Sequence, residues 1–243
     1  MLRITTTALL CSIILSIGCM ESKENVKVGA LDLARSITVS PNETGSFYKV
    51  YWPDKSLMAE GPVANKKKNG LWKMYFKGTG GTVVLAEVPF KDDMPDGEMK
   101  EYYRSGKLLC KTNFKNGIMN GSRMSYYESG IGKIEEFYKD GKKNGKSFEY
   151  YDNGNTRENS YYRDDVRHGA SMTFHPNGKR EASGRYSAGK KNGPWEHFDE
   201  QGMLKERGAY KDDARIGKWT FYDPSGKVEE KTYIFKRVVR VIE

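Results

Sequence analysis

Histidine and cysteine are the residues of this sequence whose side chains could form a metal site or a catalytic group. The histidines are His168, His175 and His197. A zinc site or a catalytic triad requires such side chains to meet at one point. Whether these three meet depends on the elements that carry them, so the organisation of the chain has to be worked out first.

Cys19 is the cysteine with the clearest chemical context. It follows a short basic start and an uncharged apolar run over residues 4–17, which is typical of a secretory leader and short for a membrane span. Residues 15–18, Leu-Ser-Ile-Gly, resemble the lipobox of bacterial lipoproteins in its relaxed spirochaete form, with Leu one place further from Cys than usual. The resemblance implies a cleaved signal peptide over residues 1–18 and lipidation of Cys19, palmitate included. Ordinary secretory cleavage and an uncleaved anchor are the alternatives.

The remaining cysteines agree with export without disulfides. Cys11 would be lost with the leader and Cys19 would carry lipid, so only Cys110 would remain as a thiol. We expect Cys110 to be a packed small residue. Acyl chains contribute about 0.8 kcal/mol per buried CH₂, so a lipid anchor needs no transmembrane helix. The expected location is the bacterial cell envelope, lipid-anchored at the outer membrane, on its periplasmic side or at the cell surface.

The composition indicates a folded protein without one deep core. Of the 243 residues, 30% are charged and 37% hydrophobic, and Lys+Arg exceeds Asp+Glu by 9, which excludes a polytopic membrane protein. Aromatic residues make up 12%, whereas disordered basic chains are poor in them. The chain also contains 26 glycines. The spacing of those glycines explains this composition.

The glycines mark an internal repeat of 24 residues. They stand at Gly97, Gly121, Gly145, Gly169, Gly193 and Gly217. The fifth residue after each is aromatic: Tyr102, Tyr126, Tyr150, Phe174, Phe198 and Tyr222. The seventeenth is aromatic in the middle units, at Tyr138, Tyr162, Tyr186 and Tyr210. We therefore expect eight units over residues 46–240, starting near 46, 70, 97, 121, 145, 169, 193 and 217, after a lipidated tether or cap over residues 19–45 and before a C-terminal end at 241–243.

Each unit is predicted to form a β-hairpin. Asn153-Gly154 lies between two extended segments, and Asn-Gly there favours a two-residue type I′ turn. The return connection, residues 141–145, again has Gly and Asn at the bend. Asp165 and Asp213 replace the return-turn glycine in two units and are expected to soften those hairpins. The predicted fold is all-β: an elongated, single-layer antiparallel sheet of tandem hairpins.

The repeat resembles the MORN repeat (membrane occupation and recognition nexus). Residues 138–145 and 186–193 share Tyr-x-x-Gly-Lys-Lys-Asn-Gly, and residues 150–154 have the Tyr-Tyr-x-x-Gly of the bacterial variant. The resemblance covers about 46–235 and implies a twisted β-ribbon used for binding, with protein helices and lipid headgroups as proposed partners.

An enzyme is not expected. The three histidines occupy three different positions of the repeat, where other units carry Asn, Tyr and Glu or Ser. Position-by-position substitution predicts that they are dispersed, so we expect no catalytic residues, no metal site and no cofactor.

Aromatic rings form the first functional feature. The rings at the fifth and seventeenth positions are either an internal stacking core or, on their exposed side, a surface that binds a partner protein. The leading hypothesis is a non-catalytic protein-interaction or scaffold module with a partner of unknown identity. We expect the protein to be a monomer.

Lysines near the return turns form the second feature. They are expected to lie along one rim and are Lys66, Lys67, Lys68, Lys142, Lys143, Lys190 and Lys191. Such lysines are usually solvated, yet a basic rim could bind anions. The alternative function is therefore binding of anionic lipid headgroups or acidic glycans, whereas the export signal disfavours nucleic acid.

Overall fold

The computed structural model describes residues 37–42 and 45–234. Within them, every regular element is a β-strand, and the strands form one antiparallel sheet. The predicted all-β fold of tandem hairpins is confirmed. The signal peptide, Cys19, most of the tether and residues 235–243 lie outside the described residues.

The strands are numbered here in chain order. The N-terminal half of the sheet contains β1 (Ile37–Asn42), β2 (Gly45–Tyr51), β3 (Leu57–Ala64), β4 (Lys67–Lys68), β5 (Gly70–Tyr75), β6 (Val84–Lys91), β7 (Met94–Pro95), β8 (Gly97–Tyr102), β9 (Leu108–Lys115) and β10 (Ile118–Tyr126). The C-terminal half contains β11 (Gly132–Lys139), β12 (Lys142–Tyr150), β13 (Thr156–Arg163), β14 (Val166–Arg167), β15 (Gly169–Phe174), β16 (Arg180–Ser187), β17 (Lys190–Lys191), β18 (Gly193–Phe198), β19 (Leu204–Lys211), β20 (Ala214–Tyr222) and β21 (Val228–Tyr233).

The sheet is a meander in which each strand pairs with the next along the chain. In four places a two-residue strand comes just before a longer one, and both pair with the strand that precedes them: β4 and β5 with β3, β7 and β8 with β6, β14 and β15 with β13, and β17 and β18 with β16. One element precedes the first hairpin: β1 pairs along its length with β2. Part of the region before residue 46 is therefore a strand of the same sheet.

The prediction of a type I′ turn at Asn153-Gly154 is wrong. The last strand pair joins Tyr150 to Thr156, which leaves a longer loop than two residues. The Gly154 amide donates to the carbonyl of Tyr151 at 3.0 Å, and of the loop residues only Gly154 has a positive φ, 86°. This is a type I turn followed by a left-handed residue, and a separate register shift lies between Glu149 and Tyr150.

Type I′ dihedral angles occur at the return connections instead. Asp140 and Gly141 have φ of 51° and 80°, and Asp164 and Asp165 have 48° and 67°. Asp165, which we expected to soften its hairpin, forms two hydrogen bonds at this turn. Its carboxylate accepts a hydrogen bond from the Lys143 amide at 2.8 Å, while its own amide donates to the Lys143 carbonyl at 2.9 Å. Asp tolerates the left-handed region because its side chain forms hydrogen bonds with nearby backbone groups.

Successive hairpins are also joined at the opposite ends of their strands. The hydroxyl of Tyr103 donates to the Tyr126 carbonyl at 2.7 Å, and that of Tyr151 donates to the Phe174 carbonyl at 2.8 Å. His175 occupies the same repeat position, and its Nε2 lies 3.1 Å from the Phe198 carbonyl. The units that start near 97, 145 and 169 are therefore also bound to the next unit at this edge of the sheet.

Candidate functional site

The strand register separates the two aromatic rows. Tyr162 lies directly opposite Gly145, which shares a face with Ser147, whereas Tyr150 alternates to the other face. The fifth-position and seventeenth-position rings therefore lie on opposite faces of the sheet. They do not form the single row that the sequence had led us to expect. Tyr150 is five residues, an odd number, from Gly145 in the same strand, so it points to the face opposite that of Gly145 and Tyr162.

The first face, called the tryptophan face, is the core of the molecule. Trp72, Trp195 and Trp219 are all buried there. Each indole lies on a glycine of the preceding strand: Trp72 on Gly61, and the other two on Gly184 and Gly208. Each indole Nε1 donates to a backbone carbonyl ten residues earlier, at 2.9 to 3.3 Å. The sheet buries this face by laying flat rings over bare backbone.

Cations cover the rings of the tryptophan face. They occupy the position two residues before the repeat glycine, at Lys68, Lys143, Arg167, Lys191 and Arg215. Lys143 Nζ lies 3.7 Å from the Tyr162 ring centroid, and Arg215 Cζ lies 4.1 Å from that of Trp219. Cation–π contacts of this kind contribute about 0.5–1 kcal/mol each.

This arrangement corrects the expectation that seven lysines share one rim. Lys68, Lys143 and Lys191 are half-buried and point onto the tryptophan face. Burial lowers the pKa of Lys191. The reason is strand alternation: neighbouring lysines in a strand point to opposite faces.

Carboxylates complete the tryptophan face in its middle. Glu136 accepts hydrogen bonds from Lys143 Nζ at 2.7 Å and from Arg123 Nη1 at 2.8 Å. Burial alone would raise the pKa of Glu136, but the bond to Lys143, the Lys143 charge and the bond from Tyr138 hold it below its ordinary value. Tyr138 is thus engaged inside the molecule, and burial followed by the Glu136 charge raises its pKa to about 12.

The second face, called the methionine face, is more accessible. Its central line of residues includes Met124, Phe148 and Met172, none of them buried, and Met172 is 39% exposed. The fifth-position rings Tyr126 and Tyr150 flank this line and are half-buried. Together they form a region rich in apolar residues in the middle of an otherwise charged face, with Glu135 and Asn159 on the intervening strands. Sequence reasoning missed its centre, although apolar residues 24 apart at 124, 148 and 172 are a readable signal.

Outside this region the methionine face is polar and internally paired. The Tyr102 hydroxyl donates to Glu87 Oε2 at 2.8 Å, and Lys73 Nζ lies 3.9 Å from Glu87 Oε1. Burial and the bond to Glu87 raise the pKa of Tyr102 to about 12. At the other end, the guanidinium of Arg207 lies over the Tyr222 ring, with Cζ 5.9 Å from the centroid. The fifth-position rings at both ends thus contact charged neighbours.

The turn edge carries the other predicted lysines, and it is mixed in character. Lys66, Lys67, Lys142 and Lys190 are exposed. In neighbouring units, however, the position of Lys142 is taken by Ile118 and Val166, which are 52% and 43% exposed. Aspartates occupy the turns themselves. The edge is therefore an alternation of cations, apolar residues and carboxylates.

The histidines do not meet at one point. His175 and His197 line one open cavity of about 500 Å³, with Glu181 and Glu206, whereas His168 is absent from that lining. His197 is half-buried, and burial lowers its pKa. Across the part of the chain that the structure describes, no group of three or more His, Cys, Asp or Glu side chains is placed to hold a metal ion.

The predicted lipidation site, Cys19, lies outside the described residues. Within residues 37–42 and 45–234, the structure contains no helix long and apolar enough to cross a membrane. Cys110 is buried and its Sγ lies 3.6 Å from the Thr112 hydroxyl. It is a packed core residue in the sheet.

Comparison with known families identifies the hairpins. The model of the MORN repeat variant matches residues 95–116, 119–140, 143–164, 191–212 and 215–236. Five units of this chain are therefore similar to the MORN repeat variant. MORN repeats are a non-catalytic repeat type that generally serves interaction with proteins or lipids. In this structure each matched segment starts near a return turn and contains the strand pair that follows it.

No curated protein matches the sequence. Among solved structures, a porin-like protein from Bacteroides uniformis is similar at 9% identity, covering 80% of this chain and 92% of that chain. Its TM-score is 0.20, so it carries no argument about this chain.

Proposed function

We propose that this protein is exported, anchored to the bacterial envelope through a lipid on Cys19, and uses its MORN ribbon as a non-catalytic module that binds another protein. The observation that carries the binding role is the apolar middle of the methionine face. Met172 and Tyr161 are 39% and 42% exposed there, beside half-buried Phe148. Exposed apolar side chains grouped on one face of a surface mark an interaction site.

The rings of that patch suit protein recognition. Tyr126, Tyr150 and Phe174 line one side of it, and aromatic residues and Met are enriched in the buried centres of protein interfaces. The tryptophan face is less available, because its rings are covered by Lys and Arg side chains. We therefore assign partner binding to the methionine face.

Cross-linking in intact envelopes tests the binding role. Replacing Tyr126, Tyr150 and Phe174 together by Ala is expected to abolish the partner cross-links, because the aromatic side of the patch is lost. Charge reversal of Lys66, Lys142 and Lys190 is the matched control and should leave the cross-links in place. Both variants must show the circular dichroism spectrum of the wild-type protein. Cross-links that survive the aromatic substitutions would contradict the proposal.

Fatty-acid labelling tests the anchor separately. Cells grown with a palmitate analogue are expected to label the wild-type chain and not Cys19→Ser. Because the resemblance to a lipobox is its only support, label that is independent of Cys19 would remove the lipoprotein part of the proposal and leave the binding role untouched.

A second candidate is binding of anionic headgroups or acidic glycans at the turn edge. One observation favours it: exposed cations recur just before the turns, at Lys91, Lys115, Lys139, Arg163 and Lys211, beside the exposed lysines named above. Vesicles containing anionic lipid should then bind the Cys19→Ser protein at low salt and release it as salt screens the charges. Binding that persists in high salt, or that survives charge reversal of Lys66, Lys142 and Lys190, would contradict this candidate.

A further inference from the structure

The central line of the methionine face reads almost symmetrically about Phe148. Each member lies directly opposite the next in the adjacent strand, and from β8 to β18 the line is Lys100, Lys111, Met124, Glu135, Phe148, Asn159, Met172, Ser183 and Glu196. Glu87 precedes it on β6, and Arg207 follows it on β19. We call these eleven residues the central line.

We propose that the protein bound by the methionine face is a second copy of this chain, packed face to face about a two-fold axis that runs parallel to the strands at Phe148. The inference rests on the proposed binding role of this face and names its partner. Such an axis lies between the two sheets and reverses the central line of one copy over that of the other.

The reversal places complementary residues opposite one another. Met124 meets Met172 of the second copy, and Glu135 meets the amide of Asn159. Further out, Lys100 meets Glu196 of the second copy. Lys111 meets the neutral Ser183 of the second copy. Most residues at equal distances on either side of Phe148 thus match in polarity, and Lys100 and Glu196 oppose in charge, as an isologous interface requires.

Glu87 and Arg207, the next members outward, obey the same rule. Beyond them the reversal would place Lys73 opposite Thr220 and Glu60 opposite Glu230, so the proposed contact ends at Glu87 and Arg207. Glu87 on β6 and Arg207 on β19 are equally far from Phe148, so the axis brings them together with opposite charges. A single matching pair could arise by chance, but Lys100 with Glu196 and Glu87 with Arg207 are independent pairs. Charge complementarity therefore selects a second copy over an unrelated occupant.

Lys100 and Glu196 have only weak partners within their own chain, whereas Glu87 accepts a hydrogen bond from Tyr102 and Arg207 lies over the Tyr222 ring. Lys100 Nζ lies 3.8 Å from Glu98, and the Glu196 carboxylate lies 4.0 Å from Arg180. Their side chains are 39% and 44% exposed. Exposed pairs at such distances contribute little to stability, so little is lost when Lys100 and Glu196 turn to a second chain.

The neighbouring line of the same face is compatible with the axis. Tyr161 on β13 lies opposite Lys146, and on the other side Phe137 of β11 lies beside Gly145, where the register shifts. The reversal therefore brings Phe137 near Tyr161 of the second copy. Lys146 meets its own copy at the axis. Its side chain is exposed, and lysine stems extend along apolar surface to keep the charge in water. Sheets packed this way lie about 10 Å apart.

Sedimentation equilibrium of the full chain carrying Cys19→Ser tests the interface. The wild-type sequence should show a monomer–dimer equilibrium. Lys100→Glu and Glu196→Lys should each weaken the dimer at least tenfold, because each creates two like-charge contacts across the axis. An equimolar mixture of the two variants should form dimers again, since opposite charges then face each other across both pairs. The double variant should likewise recover wild-type affinity.

Matched controls carry the same charge changes away from the line. Lys91→Glu and Glu200→Lys are exposed and should leave the equilibrium unchanged. A monomer at every concentration would overturn the proposal, as would dimers indifferent to Lys100→Glu and Glu196→Lys, or variants that do not rescue each other. Envelope cross-links to a different protein that depend on Tyr126, Tyr150 and Phe174 would in that case leave the proposed function standing.

Discussion

At the scale of single residues, the tryptophan face depends on pairs in which a tryptophan of one strand packs over a glycine of the preceding strand. A Cβ at Gly184 would fall within the indole of Trp195, and Gly184 has no positive φ, so space alone requires glycine there. In the adjacent unit, Ser160 and Ser171 occupy the equivalent positions. The two residues of each pair must therefore change together.

A double-mutant cycle tests this coupling. Gly184→Ser should lower the free energy of unfolding by about 3 kcal/mol in the wild type, because overpacking displaces the ring. In a Trp195→Ser background, the same change should cost less than about 1 kcal/mol, since the position then matches the neighbouring unit. Urea denaturation measures both. Equal costs in the two backgrounds would contradict the pairing.

Glu101 gives the tryptophan face a pH dependence. It is 5% exposed and lies opposite Cys110, and burial followed by the thiol raises its pKa from 4.5 to about 7. The folded state thus holds a proton that the unfolded state releases, so wild-type stability should fall as pH rises from about 4.5 to about 7. Relative to Glu101→Gln, the loss should reach roughly 3 kcal/mol at most. Unfolding curves of the two proteins that stay parallel from pH 5 to pH 8 would refute this.

At the scale of elements, the return turns show how different residues meet one backbone requirement. Asp165 at φ 67° compensates with its hydrogen bond to the Lys143 amide, whereas Ala188 at φ 49° has no polar side chain to do so. Left-handed backbone costs a non-glycine residue roughly 1–2 kcal/mol unless its side chain helps.

Substitutions at these two turns should have opposite signs. Asp165→Ala should destabilise the protein by about 1–2 kcal/mol, through the lost hydrogen bond and the unrelieved backbone. Ala188→Asn should stabilise it by about 0.5–1 kcal/mol, because Asn visits this conformation readily. Thermal unfolding of the two variants is the measurement. Asp165→Gly is the control, because it loses the hydrogen bond but relieves the backbone strain. An Asp165→Ala variant more stable than the wild type would contradict the role given to the Asp165 hydrogen bond.

From the sequence, the strands and turns could be predicted better than the face of the sheet to which each side chain points. The 24-residue spacing of glycines predicted tandem hairpins because glycine and aromatic positions are local signals. The face of each ring depends on loop length and bulges, and the loop at residues 151–155 is longer than the assumed two-residue turn. Lys142 and Lys143 look alike in sequence, yet only pairing in the sheet shows that Lys143 covers Tyr162. Rows of residues across strands are visible only once the register is known.

At the scale of the whole molecule, the tryptophan face is uneven along the ribbon. Apolar residues cluster around Trp72 at one end, and aromatic contacts join Trp195 to Trp219 through Tyr210 at the other. Between them, Ser147 and Ser160 are buried where other units have larger or apolar side chains. Since a repeat array is stabilised by contacts between neighbours, its weakest part should be this serine-rich middle. Amide exchange should be fastest there among the paired strands.

Copying the C-terminal pair into the middle should strengthen it. Ser160→Gly combined with Ser171→Trp reproduces the Gly184 and Trp195 arrangement in the same register. Burying one indole contributes about 2–3 kcal/mol, so the double variant should melt several degrees higher and slow amide exchange in β13 and β15. Ser171→Trp alone is the matched control and should gain nothing, because the Ser160 side chain occupies the space that the ring needs. If the single and double variants were equally stable, the array would not depend on glycine beneath each tryptophan, and the stability of the middle would have to come from its polar contacts instead.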